Sequence, residues 1–141
     1  MRKIDVVYWS GTGNTEAMAA AVAEGAREAG AEVQLATVTE WDPARMDAVD
    51  GVAFGCPSMG CEQLEEGEFE PVFASCEGKL RGKRLGLFGS YGWGDGEWMR
   101  SWEQTCRADG GVLVADGVTC NGSPDEETLA ACRALGAPLA E

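Results

Sequence analysis

The chain has 141 residues, 45% of them apolar, with 11 basic against 24 acidic residues, a net charge of −13 and no histidine. That length buries a core and the composition argues against disorder. The acidity repels nucleic acid and anionic membranes, and it serves either docking on basic surfaces or solubility alone. Without histidine the commonest general base and the usual catalytic triads are excluded.

In chain order, Ile4-Asp5-Val6-Val7-Tyr8-Trp9 predicts a first strand. The stretch is too short, and too interrupted by Asp5, for a secretory signal, and no run reaches membrane-spanning length. The expected location is therefore the cytoplasm, with reduced thiols. Cys56, Cys61, Cys76, Cys106, Cys120 and Cys132 contain no C-x-x-C pair, which argues against zinc or iron–sulfur sites. A polar glycine loop follows the first strand. A helix then starts at Thr15, with Glu16 in its first turn, Met18, Val22 and Ala26 on one face, and Gly30 as its stop. Residues 33–38 predict a second strand, and Asp42-Pro43 a cap for a short helix. Residues 51–55 read as a buried strand, 56–67 as a loop, 68–76 as helix, and 84–89 as a fourth strand. A second glycine-rich loop covers 90–96, a helix 97–108, and an unbroken fifth strand 112–118. Pro124-Asp125 opens a last helix with Leu129, Cys132 and Leu135 inward. Five repeats of strand then helix predict one α/β domain, 1–141, a parallel sheet covered on both faces. Ligands bind such sheets past the carboxyl ends of the strands.

Three unusual loops fall at those ends. In Ser10-Gly11-Thr12-Gly13-Asn14-Thr15, two glycines let backbone N–H groups turn inward at a helix N-terminus, an anion nest with neutral side-chain donors. It lacks the lysine of G-x-x-x-x-G-K-[ST] and the G-x-G-x-x-G spacing, so it suits a single terminal phosphate. The competing reading is an ordinary capping loop. In Cys56-Pro57-Ser58-Met59-Gly60-Cys61-Glu62, Met59 suits a flat ring, Gly60 tolerates positive φ, and Glu62 suits a ring N–H. A core methionine beside a turn is the plainer alternative. In Gly89-Ser90-Tyr91-Gly92-Trp93-Gly94-Asp95-Gly96, aromatics among glycines call for a partner: a flat ligand between Trp93 and Met59, or a protein surface. Trp9 either shields the phosphate or fills core.

Together these motifs resemble the flavodoxins from end to end. Tyr8-Trp9-Ser10-Gly11-Thr12-Gly13-Asn14-Thr15-Glu16 is similar to the family's phosphate signature. Gly55-Cys56-Pro57-Ser58-Met59-Gly60 and residues 89–98 resemble the two isoalloxazine loops of short-chain, clostridial-type members. The resemblance implies a five-stranded doubly wound sheet of order 2-1-3-4-5 with non-covalent FMN at the switch point. It implies that Ser10, Thr12, Asn14 and Thr15, with amides from Gly11 to Thr15 (Gly13 included), hold the phosphate. Trp93 stacks on the outer ring face and Met59 on the inner, Glu62 accepts the ring N3–H, and the Gly60 peptide turns on reduction. Trp9, Pro57, Ser58, Cys61, Ser90, Tyr91, Gly92, Gly94 and Asp95 complete the expected cofactor contacts. No metal and no catalytic residue are expected. Cys61 departs from the usual acidic or polar residue after the glycine, which bears on the peptide flip.

The implied function is a monomeric low-potential electron carrier, not an enzyme, shuttling between semiquinone and hydroquinone in place of ferredoxin. The carboxylates fit: one charge about 10 Å away in a water-like medium opposes an added electron by roughly 0.4 kcal/mol. Implied partners are ferredoxin-linked oxidoreductases or a flavodoxin reductase with basic docking surfaces. The second reading is a small FMN-dependent oxidoreductase or a ribonucleotide-reductase activator. A phospho-receiver domain shares the sheet order but needs acidic residues, an aspartate and a lysine where Ser10, Cys56 and Ser90 stand.

Overall fold

The computed structural model describes Met1–Glu141 throughout. Its strands are β1 (Lys3–Tyr8), β2 (Glu32–Thr37), β3 (Gly51–Gly55), β4 (Arg84–Tyr91), β5 (Val112–Leu113) and β6 (Val118–Asn121). Its α-helices are α1 (Asn14–Glu28), α2 (Phe69–Cys76), α3 (Glu97–Ala108) and α4 (Glu126–Leu139). The order is β2-β1-β3-β4-β5, with β6 also pairing β4, and every ladder is parallel. This is the expected doubly wound sheet. No helix is long and apolar enough to cross a membrane.

A strand alternates its side chains between faces, and here both faces are covered. Ile4, Val6 and Tyr8 of β1, with Ala53 and Phe88, pack under α1 and α4. Val7, Val52, Phe54, Leu85 and Leu87 point the other way, into a core completed by Phe69 and Phe73 of α2 and Trp98 and Trp102 of α3. Phe54 meets Trp41, Phe69 and Phe73 edge-on, the arrangement aromatic quadrupoles prefer.

One polar group sits inside this second layer. Asp5, 1% exposed, accepts from Arg45 Nε and Nη2 at 2.6 and 2.9 Å and from Trp41 Nε1 at 2.8 Å. A buried carboxylate is tolerable only with such full pairing. The pairing pins the 3₁₀ turn Pro43–Asp47 to the central strand. Asp42 caps that turn at Ala44 N, as the Asp42-Pro43 pair predicts.

The fifth strand corrects the sequence reading. It is not unbroken over 112–118. Leu85 pairs with Leu113 and Phe88 with Val118, so the edge carries two more residues than β4 between those rungs. The excess leaves the ladder at Val114-Ala115-Asp116-Gly117, where Glu103 Oε2 of α3 accepts from Gly117 N at 2.9 Å. Pairing then resumes and runs on to Asn121. β4 likewise runs past Gly89 to Tyr91, so Ser90 and Tyr91 belong to the strand rather than to the loop.

α1 and α4 cross closely at two glycines. A Cβ on Gly136 would strike the backbone of Val22 and Ala26, and one on Gly25 the backbone of Arg133. Gly136→Ala gains about 1 kcal/mol of helix propensity. It loses about 1–3 kcal/mol or more to overpacking, because backbone cannot yield as a side chain does. The expected outcome is a net loss of about 1–2 kcal/mol, read as a lower urea midpoint at unchanged m-value.

Candidate functional site

The carboxyl ends of β1, β3, β4 and β6 open on one cavity of about 360 Å³, lined by Trp9, Gly11, Thr12, Asn14, Pro57, Ser58, Met59, Ser90, Tyr91, Gly92 and Gly122. The strand ladders continue into these loops and fix where they start. Trp9 N donates to Gly55 O, Cys56 N to Phe88 O, Ser58 N to Ser90 O and Gly122 N to Tyr91 O, at 2.9–3.1 Å.

The first loop ends at Gly13, the N-cap of α1, with φ 96°, a conformation that favours glycine. Gly13 N donates to Ser10 Oγ at 3.0 Å and Asn14 N reaches Thr12 Oγ1 at 3.5 Å. The N–H groups of Gly11, Thr12, Thr15 and Glu16 meet no protein acceptor. Unspent amides at the positive end of a helix dipole form an anion site. Thr15 is placed differently from the other hydroxyls: it is buried, its Oγ1 lying 3.4 Å from Ser90 Oγ, and it fastens the loop to β4.

The second loop folds on itself. Met59 N donates to Gln63 O at 2.8 Å and Gln63 N to Met59 O at 3.0 Å, with Gly60 at φ 55° and Glu62 at φ 53°. Its base is held from below by Trp98 Nε1, which donates to Cys56 O at 3.1 Å. Burial pushes the Cys56 thiol up to about 12, so it stays neutral while its sulfur accepts from Glu65 N at 3.3 Å. Glu65 closes the loop by capping α2: it accepts from Gly67 N, Glu68 N and Phe69 N at 2.7–2.8 Å. Burial pushes this carboxyl upward, but the three N–H groups outweigh it and hold Glu65 below the usual range.

Glu62 joins the second loop to the third. Its Oε1 accepts from Asp95 N and Glu97 N, each at 3.2 Å, leaving Oε2 without a protein donor. A Cβ at Gly94 would collide with that carboxylate, so the glycine makes the contact possible. Met59 lines the cavity at 38% exposure, whereas Trp93, 62% exposed, stands outside the lining. Tyr91 takes the wall position instead, tilted against Trp98 with ring centres 5.5 Å apart. Gly60, Cys61, Gly94 and Asp95 also stand outside the lining, as does Glu62. Ser10 and Gly13 line a neighbouring cleft.

Sequence reasoning missed Gly122, because the fifth strand was ended at Val118 and the turn beyond Asn121 went unread. The Gly122-Ser123-Pro124 run was its signal. It also missed the Glu65 cap and the Trp98 anchor. No motif announces either, since both are contacts between distant segments.

Glu65, with its depressed folded value, contributes stability above the unfolded glutamate value, and that contribution disappears as pH falls through the folded one. Glu65→Gln should therefore unfold at a lower urea midpoint than the parent at pH 7. The gap should narrow as pH drops below about 4.3, the ordinary glutamate value. Equilibrium unfolding from pH 7 to pH 3 checks it.

The flavodoxin family model matches residues 6–136. The flavodoxin of Megasphaera elsdenii is 41% identical over 138 residues, spanning 98% of each chain, and that of Clostridium beijerinckii is 45% identical over 121 residues, 86% of this chain and 88% of its own. The solution structure of the two-electron reduced Megasphaera protein superposes with a TM-score of 0.88 over 97% of this chain and 98% of its own. An archaeal flavodoxin, 27% identical, gives 0.85 over 98% of this chain and 96% of its own. The chain belongs to the flavodoxin family, FMN-binding carriers of electrons to and from redox partner proteins.

Proposed function

We propose that the cavity holds one FMN, with its phosphate on the first loop and its ring between the second and third. The unspent N–H groups of Gly11, Thr12, Thr15 and Glu16 carry this reading. They are the donor set of a dianion that brings no metal, and the nest holds no lysine or arginine to ask for more. Ser10, Thr12 and Asn14 supply side-chain contacts. Thr15 acts through its amide, its hydroxyl holding Ser90 beneath. Met59 and Tyr91 wall the ring, with Pro57, Ser58, Gly92 and Gly122 filling between them. Trp93 caps the ring by turning inward on its glycine-flanked loop. Glu62 offers Oε2 to a ring N–H while Oε1 keeps the third loop in place.

Bound FMN supplies reversible one-electron chemistry. The protein sets the cost of each electron. The Gly60 carbonyl accepts a ring proton if its peptide turns, and Cys61 next to it resists that turn more than glycine would. Glu62, Asp95 and Glu97, whose carboxylates lie within 4.8 Å of one another, oppose added negative charge. The low-potential role, standing in for ferredoxin, follows from that crowding. The acidic surface suits basic docking faces on ferredoxin-linked oxidoreductases or a reductase, with the chain acting as one domain, 1–141, a monomer in the cytoplasm. A small FMN-dependent oxidoreductase is not favoured, since the relatives that match end to end are flavodoxins.

Titrating apoprotein into FMN should quench its fluorescence at one equivalent, while riboflavin, lacking the phosphate, should bind at least ~100-fold more weakly. Equal affinity would remove the phosphate role of the first loop. Anaerobic reductive titration, followed by absorbance, should resolve two one-electron waves, and a single two-electron wave would remove the low-potential reading. Each neutralised rim carboxylate, Asp95→Asn or Glu97→Gln, should raise the lower potential by on the order of 20 mV. Cys61→Gly should raise the upper potential, because it frees the Gly60 peptide.

A further inference from the structure

We propose that a second cleft, on the far side of Trp9 from the cofactor cavity, receives an arginine or lysine side chain of the redox partner. It measures about 330 Å³ and lies past the carboxyl ends of β1 and β2, walled by Tyr8, Trp9, Glu16, Thr37, Thr39 and Glu68. The proposal rests on the FMN reading only for the site from which the electron leaves.

Two carboxylates are held in place there without being neutralised. Tyr8 OH donates to Glu16 Oε2 at 3.1 Å, and Trp9 Nε1 donates to Glu68 Oε1 at 2.7 Å. Each carboxylate keeps its other oxygen free of protein donors, neither enters an ion pair, and no lysine or arginine lines the cleft. Phenol and indole are neutral donors, so they orient both charges and leave both uncompensated. The group that completes such a site is a cation with several N–H donors, and guanidinium presents five in a planar fork.

The position argues for a protein-borne cation. Trp9 and Gly11 line both the cleft and the cofactor cavity, so a partner covering the flavin edge also covers the mouth of the cleft. A Cβ on Gly11 would sit 3.1 Å from the Trp9 ring, so the indole rests directly on the phosphate loop. A cation seated beside Glu68 and a phosphate across Gly11 then stabilise each other. By linkage, the seated side chain tightens FMN as much as FMN tightens the side chain. The partner's basic residue would register the docked orientation and help retain the cofactor during transfer.

The test uses reduced holoprotein and cytochrome c, a basic one-electron acceptor, mixed in stopped flow at low ionic strength. Glu16→Gln with Glu68→Gln removes both charges but keeps both hydrogen-bond acceptors. Glu28→Gln with Glu32→Gln removes two exposed charges from the opposite edge of the sheet. The cleft pair should slow reduction about tenfold and flatten its salt dependence, the control pair about twofold. Equal slowing would mean bulk charge alone steers docking and would overturn the cleft. Ethylguanidinium titrated into ¹⁵N-labelled holoprotein should move the Trp9 indole N–H saturably, and Glu68→Gln should abolish the movement. A linear or unlocalised shift sinks the proposal, as does saturation by Mg²⁺ instead. If FMN itself fails to bind, the earlier reading fails, and that outcome is visible before either titration begins.

Discussion

The site depends on the parallel ladder that joins β1, β3 and β4. Parallel strands need crossover helices, so every strand delivers its carboxyl end to the same edge. Here the ladder does not stop at the strand ends. Trp9, Cys56, Ser58 and Gly122 each donate one more backbone bond to the neighbouring strand or loop, which sets the first residue of every loop at the site. Loops usually carry the uncertainty in a binding site. These are hung from the most buried part of the molecule.

Above that frame, a few long-range contacts make three loops act as one. Thr15 and Ser90 share a hydroxyl contact between the phosphate loop and β4. Trp98 holds the start of the Met59 loop from α3, and Glu62 holds the third loop from the second. Each link uses a group with a separate duty: a core indole, a strand serine, a rim carboxylate. The Asp5–Arg45 pair plays the same part below the sheet, where a buried charge ties a short turn to the central strand. Such contacts cost desolvation, and they are kept where relative position matters more than raw stability.

The fold was legible because its signals are local. Alternating strands and helices, Gly30 after α1, Asp42-Pro43 before its turn and Asp125 before α4 all act within a few residues of where they stand. The phosphate nest was legible for the same reason. The fifth strand was misread because its apolar run, Val112 to Val118, gives no sign that Glu103, on another element, draws Gly117 out of the ladder. Gly122 went with it. The inward ring contact expected of Trp93 depends on a mobile-looking glycine setting that sequence alone describes poorly. The carboxylate of Glu62 has two suitors, a ring N–H and the amides of its own neighbours, and only three-dimensional placement reveals the second.

The break between β5 and β6 has a consequence for how such a chain varies over evolutionary time. At that point the outer edge of the sheet already carries surplus backbone that pairs with nothing on β4. Added residues there would lengthen an existing excursion without costing a ladder rung or shifting the register on either side. They would emerge beside α3, on the flank of the sheet farthest from the phosphate nest at β1. The molecule therefore contains its own insertion port, where chain length can drift while the cofactor loops keep their places.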